Sequence, residues 1–274
     1  MTNNRLLLYI DILGFSDLVS ENHQKIDDLY EVIASLHAHK HEAFRCVIFS
    51  DTILVYNADG GDTREDISYL LMFQCEFVRD LLHRLTNRGI FYRAVITHGS
   101  FRHYQLNSVP CFYGTSLVTA HLAEKDLKAI GLFMDSRLLP YCEIFRHVQF
   151  NDSYSFVYVT QALDELERIR ASSFSKRDIK FLIEQHELDW NGGPELLHLA
   201  DLCRNAKSHN LKLCVKQKYE ATVELYKRQY PTIIERLEAN NFDIQVVFPE
   251  VDWSAVIARH PEDCSYAIKE RREF

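Results

Sequence analysis

Glycine and proline are scarce in this sequence, at 9 and 6 of 274 residues, so long linkers and low-complexity stretches are not expected. No C-x-x-C pair occurs among the seven cysteines, and their number is odd. Buried free thiols in a reducing compartment follow from this, rather than disulfides or a zinc cluster. Long apolar runs are missing too. The opening MTNNRLLLYID closes on an aspartate after about six apolar residues, too short for a signal peptide or a membrane span, so a cytoplasmic protein with no membrane partner is expected. Positive charge is in short supply: Lys+Arg number 31 against 39 Asp+Glu, a net charge of -8. That argues against a nucleic-acid partner held by bulk charge and leaves room for a small anion at one local site. What is present, 47% hydrophobic and 26% charged residues, suits a folded soluble chain.

Two textures divide the chain. Arg5–Ile10, Phe44–Phe49, Thr52–Tyr56, Phe91–His98 and Gly131–Met134 read as strands. Lys25–His39, Arg64–Thr86, Leu117–Leu127 and Ser136–Phe145 read as helices. The order β-α-β-β-α-β-α-β predicts an α+β fold, a ferredoxin-like or palm sheet with helices on one face. Beyond about residue 155 the pattern turns helical, at Gln161–Arg170, Lys176–Glu187, Pro194–Ala206 and Lys216–Leu237, with Phe242–Phe248 β-like. Residues 1–155 are expected to form the catalytic domain, and 156–274 a mostly helical C-terminal region packed on it.

Asp11 and Asp51 each stand where a strongly apolar strand ends. A carboxylate there is costly to bury without a cation or donors. A single aspartate after a strand is ordinarily a turn or cap. Two on neighbouring strands make a hard, oxygen-rich site suited to Mg²⁺ or Mn²⁺ carrying a nucleoside triphosphate. Between them in function lies Ile12-Leu13-Gly14-Phe15-Ser16, a turn from strand to helix whose backbone N–H groups can face an anion. It lacks the Gly-Lys-Ser/Thr signature of a Walker A loop.

Four blocks in order, YIDILGFSDLV, FSDTILVY, FYRAVITHGSF and FYGTSLVTAHLAEK, resemble the catalytic domain of class III nucleotidyl cyclases, and more closely the pyrimidine cyclases of Pycsar anti-phage defence. The resemblance covers about residues 5 to 135. It implies a head-to-tail homodimer with sites at the interface, two divalent ions (Mg²⁺ or Mn²⁺), and cyclisation of UTP or CTP to the 3′,5′-cyclic monophosphate plus pyrophosphate. The product would be a second messenger for a separate effector protein. Carried over residue by residue, Asp11 and Asp51, with the backbone of Ile12, match the metal ligands, and Leu13, Gly14, Phe15 and Ser16 match the triphosphate-binding turn.

The departures from the family shape the specificity. The base-reading positions of purine cyclases hold Val47 and Cys111 here, so the lysine/aspartate pair for adenine and the glutamate for guanine are absent, although a cysteine is guanine-like. Strand alternation puts Val47, Phe49 and Asp51 on one face. Phe49 would either narrow the base pocket and stack on a pyrimidine or serve as core packing. The family's asparagine and arginine for ribose orientation and transition-state charge would fall at Val118 and Leu122, and neither can do that work. Arg93, a cation in an apolar strand, is the leading substitute, ahead of Arg102 and His121. The Pycsar-like block also lacks the asparagine, which favours such a substitute over an inactive chain. The alternatives are a purine cyclase with unusual base contacts and an inactive nucleotide-binding dimerisation module. HAHKH (His37, His39, His41) is read as a solvated helix end, and Gly60-Gly61-Asp62 as a turn.

Overall fold

Strand β1, Asn4–Ile12, is apolar on both faces, and Leu6, Leu7, Leu8 and Ile10 are fully buried. Each such side chain contributes about 1.5–3 kcal/mol on leaving water, which makes β1 a central strand. The structure is a computed structural model that describes residues 4–36, 42–59, 61, 63–86 and 88–263. After β1 come helices α1 (Phe15–Glu21) and α2 (His23–Ser35), the hairpin β2 (Phe44–Phe49) and β3 (Thr52–Asn57), and helix α3 (Arg64–Leu85). Then follow β4 (Tyr92–Ser100), the hairpin β5 (Arg102–Leu106) and β6 (Val109–Tyr113), α4 (Thr115–Asp126), β7 (Gly131–Asp135), β8 (His147–Gln149) and β9 (Tyr154–Val157). The sheet order is β2-β3-β1-β4-β7-β9-β8, with β4 and β7 parallel and β1 antiparallel to both of its neighbours; β5 and β6 form a separate ribbon.

The α+β sheet is the architecture expected, with its helices now assigned to faces. Opposite Ile12 stands Tyr92, whose hydroxyl donates to the Val78 carbonyl of α3 at 3.1 Å, so α3 covers the Leu6/Leu8/Ile10 face. The other face carries Leu7 and Tyr9, which cluster with Leu54, Tyr56, Phe101 and Ala120 of α4. The expectation of helices on one face therefore becomes α3 on one side and α4 on the other. Gly114, at φ 157°, lets the chain pass from β6 into α4, because a Cβ there would sit 2.0 Å from the Ser100 carbonyl oxygen.

The chain divides into two compact units, Met1–Leu81 with Phe91–Val159, and Leu82–Ile90 with Thr160–Phe274. The second holds α5 (Gln161–Ala171), α6 (Lys176–Gln185), α7 (Leu188–Lys207), α8 (Leu213–Gln229), α9 (Pro231–Ala239), α10 (Ile244–Val247) and α11 (Trp253–Asp263). Its core is built on Leu163, Leu166, Leu199, Tyr226, Tyr230, Ile233 and Trp253, all buried.

Several expected boundaries move for identifiable reasons. The single helix expected over Lys216–Leu237 breaks at Tyr230, since Pro231 cannot continue α8 but fits the first turn of α9. The stretch expected as a strand at Phe242–Phe248 is instead the short helix α10, entered through positive φ at Asn241 and Phe242 and capped by the Asp243 side chain on the Gln245 N–H at 2.9 Å. Ser136–Phe145 shortens to a 3₁₀ turn, Ser136–Tyr141, with Pro140 inside it. Cys46, Cys75, Cys111, Cys142, Cys203 and Cys214 are free thiols, as expected. His37, His39, His41, Gly60, Asp62 and Cys264 lie outside the described residues.

Candidate active site

The antiparallel registers bring the two aspartates together. Asp11 pairs with Thr52 on β3 and with Arg93 on β4, and Phe49 pairs with Thr52, so Phe49, Thr52, Asp11 and Arg93 form one row across the sheet. Asp51 lies in the two-residue turn between β2 and β3. Its carbonyl accepts the Ile12 N–H at 2.9 Å, which fastens the hairpin turn to the end of β1. From the other side, the Tyr30 hydroxyl of α2 donates to the Ser50 carbonyl at 3.0 Å, and Phe15 stacks on Tyr30 with ring centroids 6.5 Å apart. Ser50 takes φ 56°, so the turn that presents Asp51 is held in a conformation a non-glycine residue seldom adopts. The Asp51 side chain has no ion pair and no hydrogen bond among the described residues, although its charge acts on its neighbours.

Arg93 is committed. Its side chain is 5% exposed, against 19% for Asp11. Its guanidinium donates to Asp11 Oδ2 at 3.2 Å and to the Leu127 carbonyl at 2.8 Å, and it forms an ion pair with Glu124 Oε1 of α4. Its Nε is buried without a partner. Burial pulls the Arg93 pKa down, while Asp11 and Tyr9 oppose that. The sequence reading gave Arg93 the transition-state charge. The structure places the guanidinium on Asp11, Glu124 and the Leu127 carbonyl.

Tyr9 and Glu124 are the residues the sequence reading missed. Tyr9 stands two positions before Asp11 and therefore on its face. Its hydroxyl lies 3.3 Å from Thr52 Oγ1 and 3.5 Å from His121 Nδ1. Burial raises its pKa and the Thr52 hydrogen bond lowers it; Asp11 and Asp51 then push it up and Arg93 pulls it down, which sets this hydroxyl among all three charges. The cost of burying Arg93 was the available signal for Glu124, because it demands a second anion nearby.

In the turn after β1, the Ile12 and Leu13 N–H groups are taken by the Asp51 and Phe91 carbonyls, both at 2.9 Å. Those two therefore cannot serve a phosphate. The N–H groups of Gly14, Phe15 and Ser16 remain at the opening of α1, where a helix has no internal acceptor for them. Gly14 has φ 72°, and a Cβ built on it would meet nothing within 4 Å, so the turn is open on that side.

The base-pocket residues separate. Val47 is half-buried against the Leu7/Tyr9 cluster and shares a row with Leu54 and Tyr9, two residues along from the row of Asp11. Phe49 is 80% exposed, which removes the core-packing reading. Cys111 pairs with Tyr104 in the β5–β6 ribbon, and its thiol meets the Val109 carbonyl. Val118 and Leu122 stand exposed on α4, as does His121. Among the described residues there is no group of three or more His, Cys, Asp or Glu arranged to hold a metal ion. The donors present are two carboxylates and a carbonyl. That set fits Mg²⁺ or Mn²⁺, which bind through one or two carboxylates and take further oxygens from water and substrate phosphates.

No family model matches the chain, and no curated protein does either. Solved structures similar to it include the adenylyl cyclase CyaB from P. aeruginosa, at 10% identity over 57% of this chain and 94% of that one, with TM-score 0.43. The guanylyl cyclase Cya2 matches at 12% identity over 57% and 93%, with TM-score 0.40. The guanylate cyclase domain of RhGC from Catenaria anguillulae, solved with GTP, matches at 11% identity over 57% and 96%, with TM-score 0.43. No helix among the described residues is long and apolar enough to cross a membrane.

Proposed function

We propose that the sheet unit is a nucleotidyl cyclase that converts UTP or CTP to its 3′,5′-cyclic monophosphate, and that the product signals to a separate effector in anti-phage defence. The observation that carries the chemistry is Asp51: a carboxylate with no hydrogen bond or ion pair among the described residues, fastened through its backbone to the strand that delivers Asp11. The pyrimidine substrate and the defence role rest on the sequence blocks and on the absence of purine-reading side chains.

In the reaction the ribose 3′-hydroxyl loses its proton to water, its oxygen attacks the α-phosphorus, the P–O bond to the β-phosphate breaks, and pyrophosphate leaves with that electron pair. Asp11, Asp51 and the Ile12 carbonyl would hold the divalent ions, which lower the 3′-hydroxyl pKa and neutralise the triphosphate. Arg93 fixes Asp11, and its positive charge tempers the carboxylates it touches. The Gly14, Phe15 and Ser16 N–H groups would receive phosphate oxygens. Phe49, exposed in the same row as Asp11, would offer its ring face to the base. A homodimer would cover some of the exposed apolar side chains, Phe49 on β2 and Val118 and Leu122 on α4 among them.

The inert-module reading draws on one observation, that Asp11 already has a cation in Arg93 and so needs no metal for its own solvation. Incubating the protein with Mn²⁺ and each of ATP, GTP, CTP and UTP, followed by mass spectrometry, separates the readings. Cyclic UMP or cyclic CMP alone supports the proposal, purine product redirects it to a purine cyclase, and no product from any of the four leaves the inert module.

A further inference from the structure

Helix α3 turns a stripe at helical spacing, Arg64, Ser68, Met72 and Cys75, toward the chain that leaves β7. Arg64 opens the stripe. Its guanidinium donates to the Pro140 carbonyl at 3.1 Å, lies 3.7 Å from Glu143, and stands over the Tyr141 ring at 5.9 Å. About three turns further along, Cys75 closes it by meeting Cys142, and the two thiols are hydrogen-bonded. Both cysteines belong to the sheet unit. Between these two ends lies a cavity of ≈ 190 Å³, with Ser68, Met72, Cys75, Cys142 and Phe145 in its lining. One water needs about 10–15 Å³, so small polar molecules have ample room.

The cavity is reached from solvent, since Tyr69 and Ile144 of its lining are exposed. It also holds a polar group in want of a partner: Ser68 Oγ is buried with no hydrogen bond. The two thiols are not equivalent. Cys75 is buried and Cys142 half-buried. Cys75 donates to Cys142, whose own thiol donates to the Phe145 carbonyl at 3.6 Å. That donor role, and burial after it, raise the Cys75 pKa; the same hydrogen bond lowers the Cys142 pKa, against burial. By contrast, burial pushes Cys46 and Cys203 each up to about 12, so neither is a nucleophile at neutral pH. An accessible thiol favoured as thiolate, backed by a second that keeps its proton, is the arrangement of an attacking and a resolving cysteine.

We infer that Cys142 and Cys75 form a reversible thiol switch, oxidised by hydrogen peroxide that enters this cavity. In the first step the Cys142 sulfur attacks one peroxide oxygen and the O–O bond breaks. The departing hydroxide takes the thiol proton and leaves as water, and Cys142 becomes a sulfenic acid. In the second step the Cys75 sulfur attacks the Cys142 sulfur, the S–O bond breaks, and hydroxide leaves as water with the Cys75 proton as the S–S bond forms. The two thiols together give up two electrons and two protons, and one peroxide becomes two waters. A dithiol reductant reverses the change. Disulfides in a reducing compartment are characteristically of this transient kind. The switch shares no residue with the Asp11–Asp51 site.

Peptide mapping of the full chain tests this. The reduced protein is treated with equimolar hydrogen peroxide, quenched with iodoacetamide in urea, digested without reductant and read by mass spectrometry. The expected result is a peptide joining Cys75 to Cys142, lighter than its two parts by the hydrogens lost and absent after dithiothreitol. Cys142 should be consumed at least about tenfold faster than Cys46 or Cys203. The oxidised chain should melt about 5 °C higher than the reduced one, because the bridge closes a long loop. In Cys75→Ala the reaction should stop at the Cys142 sulfenic acid, trapped by dimedone, and in Cys142→Ser the Cys75 thiol should survive unoxidised. Wild-type protein in which Cys75 and Cys142 remain alkylated while other cysteines oxidise overturns the inference. So does a Cys142 sulfenic acid that never passes to Cys75, or a Cys142 no faster than Cys203. These readings come from the wild-type chain, so they stand even if a variant fails to fold.

Discussion

The two units treat their acidic residues in opposite ways. In the helical unit the buried and half-buried carboxylates are consumed by structure. Glu195 Oε2 accepts the Leu163 N–H at 3.0 Å while Oε1 meets His83 at 3.2 Å. Glu167 takes the Thr232 and Ile233 N–H groups at the start of α9 at 2.8 and 3.0 Å. Glu250 pairs with Arg170 at 2.9 Å, beneath the ring of Phe248. Each of these acids solves a local problem of unsatisfied donors, and nothing is left for a ligand. In the sheet unit Asp51 solves no such problem: its backbone is fastened and its carboxylate is not. Among the described residues its side chain makes no hydrogen bond and no ion pair, and this is the acid on which the proposed chemistry rests.

Substitutions can break that contrast. Asp51→Asn carries the largest expected effect, a fall in cyclic-product formation of about a thousandfold, equivalent to about 4 kcal/mol of lost charge stabilisation. Its melting temperature should match the wild type. A stability loss without a rate loss would put Asp51 in the same structural class as Glu195. Next comes Glu195→Ala, expected to cost about 3 kcal/mol in urea denaturation because it removes the acceptor of the buried Leu163 N–H and the carboxylate that meets His83. If turnover per folded molecule falls as well, the division between structural and chemical acids fails. Arg93→Gln should cost about 2 kcal/mol, by leaving Asp11 and Glu124 facing one another without their cation. It should also reduce kcat, while spared dimerisation is read by light scattering. Arg93→Lys should recover only part of both losses, since one ammonium cannot reproduce the guanidinium's contacts with Asp11, Glu124 and Leu127. The smallest effect is expected from Phe49→Ser: stability within about 0.5 kcal/mol of wild type, as for an exposed side chain, with KM for the pyrimidine nucleotide raised. An unchanged KM there would detach Phe49 from the base.

Strong periodicity made part of this legible beforehand. β1, β2, β3, α3 and α4 follow from apolar runs and helical spacing, and the convergence of Asp11 with Asp51 follows from two strands that end at carboxylates. The β5–β6 ribbon was hidden because RHYQL and VPCFY carry no buried face of their own and are joined by Asn107-Ser108, both at positive φ, without the glycine that usually marks such a turn. Glu124 was hidden for a different reason. Its significance depends on which sheet face α4 covers, and that is a tertiary fact absent from the spacing of LVTAHLAEK.

The row Phe49–Thr52–Asp11–Arg93 also makes the site sensitive to insertion and deletion. It exists because three strands keep a common register. One residue lost from β1 before Asp11 would exchange the two faces of the strand, bringing Ile10 or Ile12 into the row and sending the carboxylate under α3. The apolar faces of β1 are so alike that the sheet itself would tolerate the slip. Accuracy of alignment in β1 therefore rests on its polar members, Arg5, Tyr9 and Asp11, so the residues that give the site its charge and its hydroxyl are also those that mark which way the strand must face.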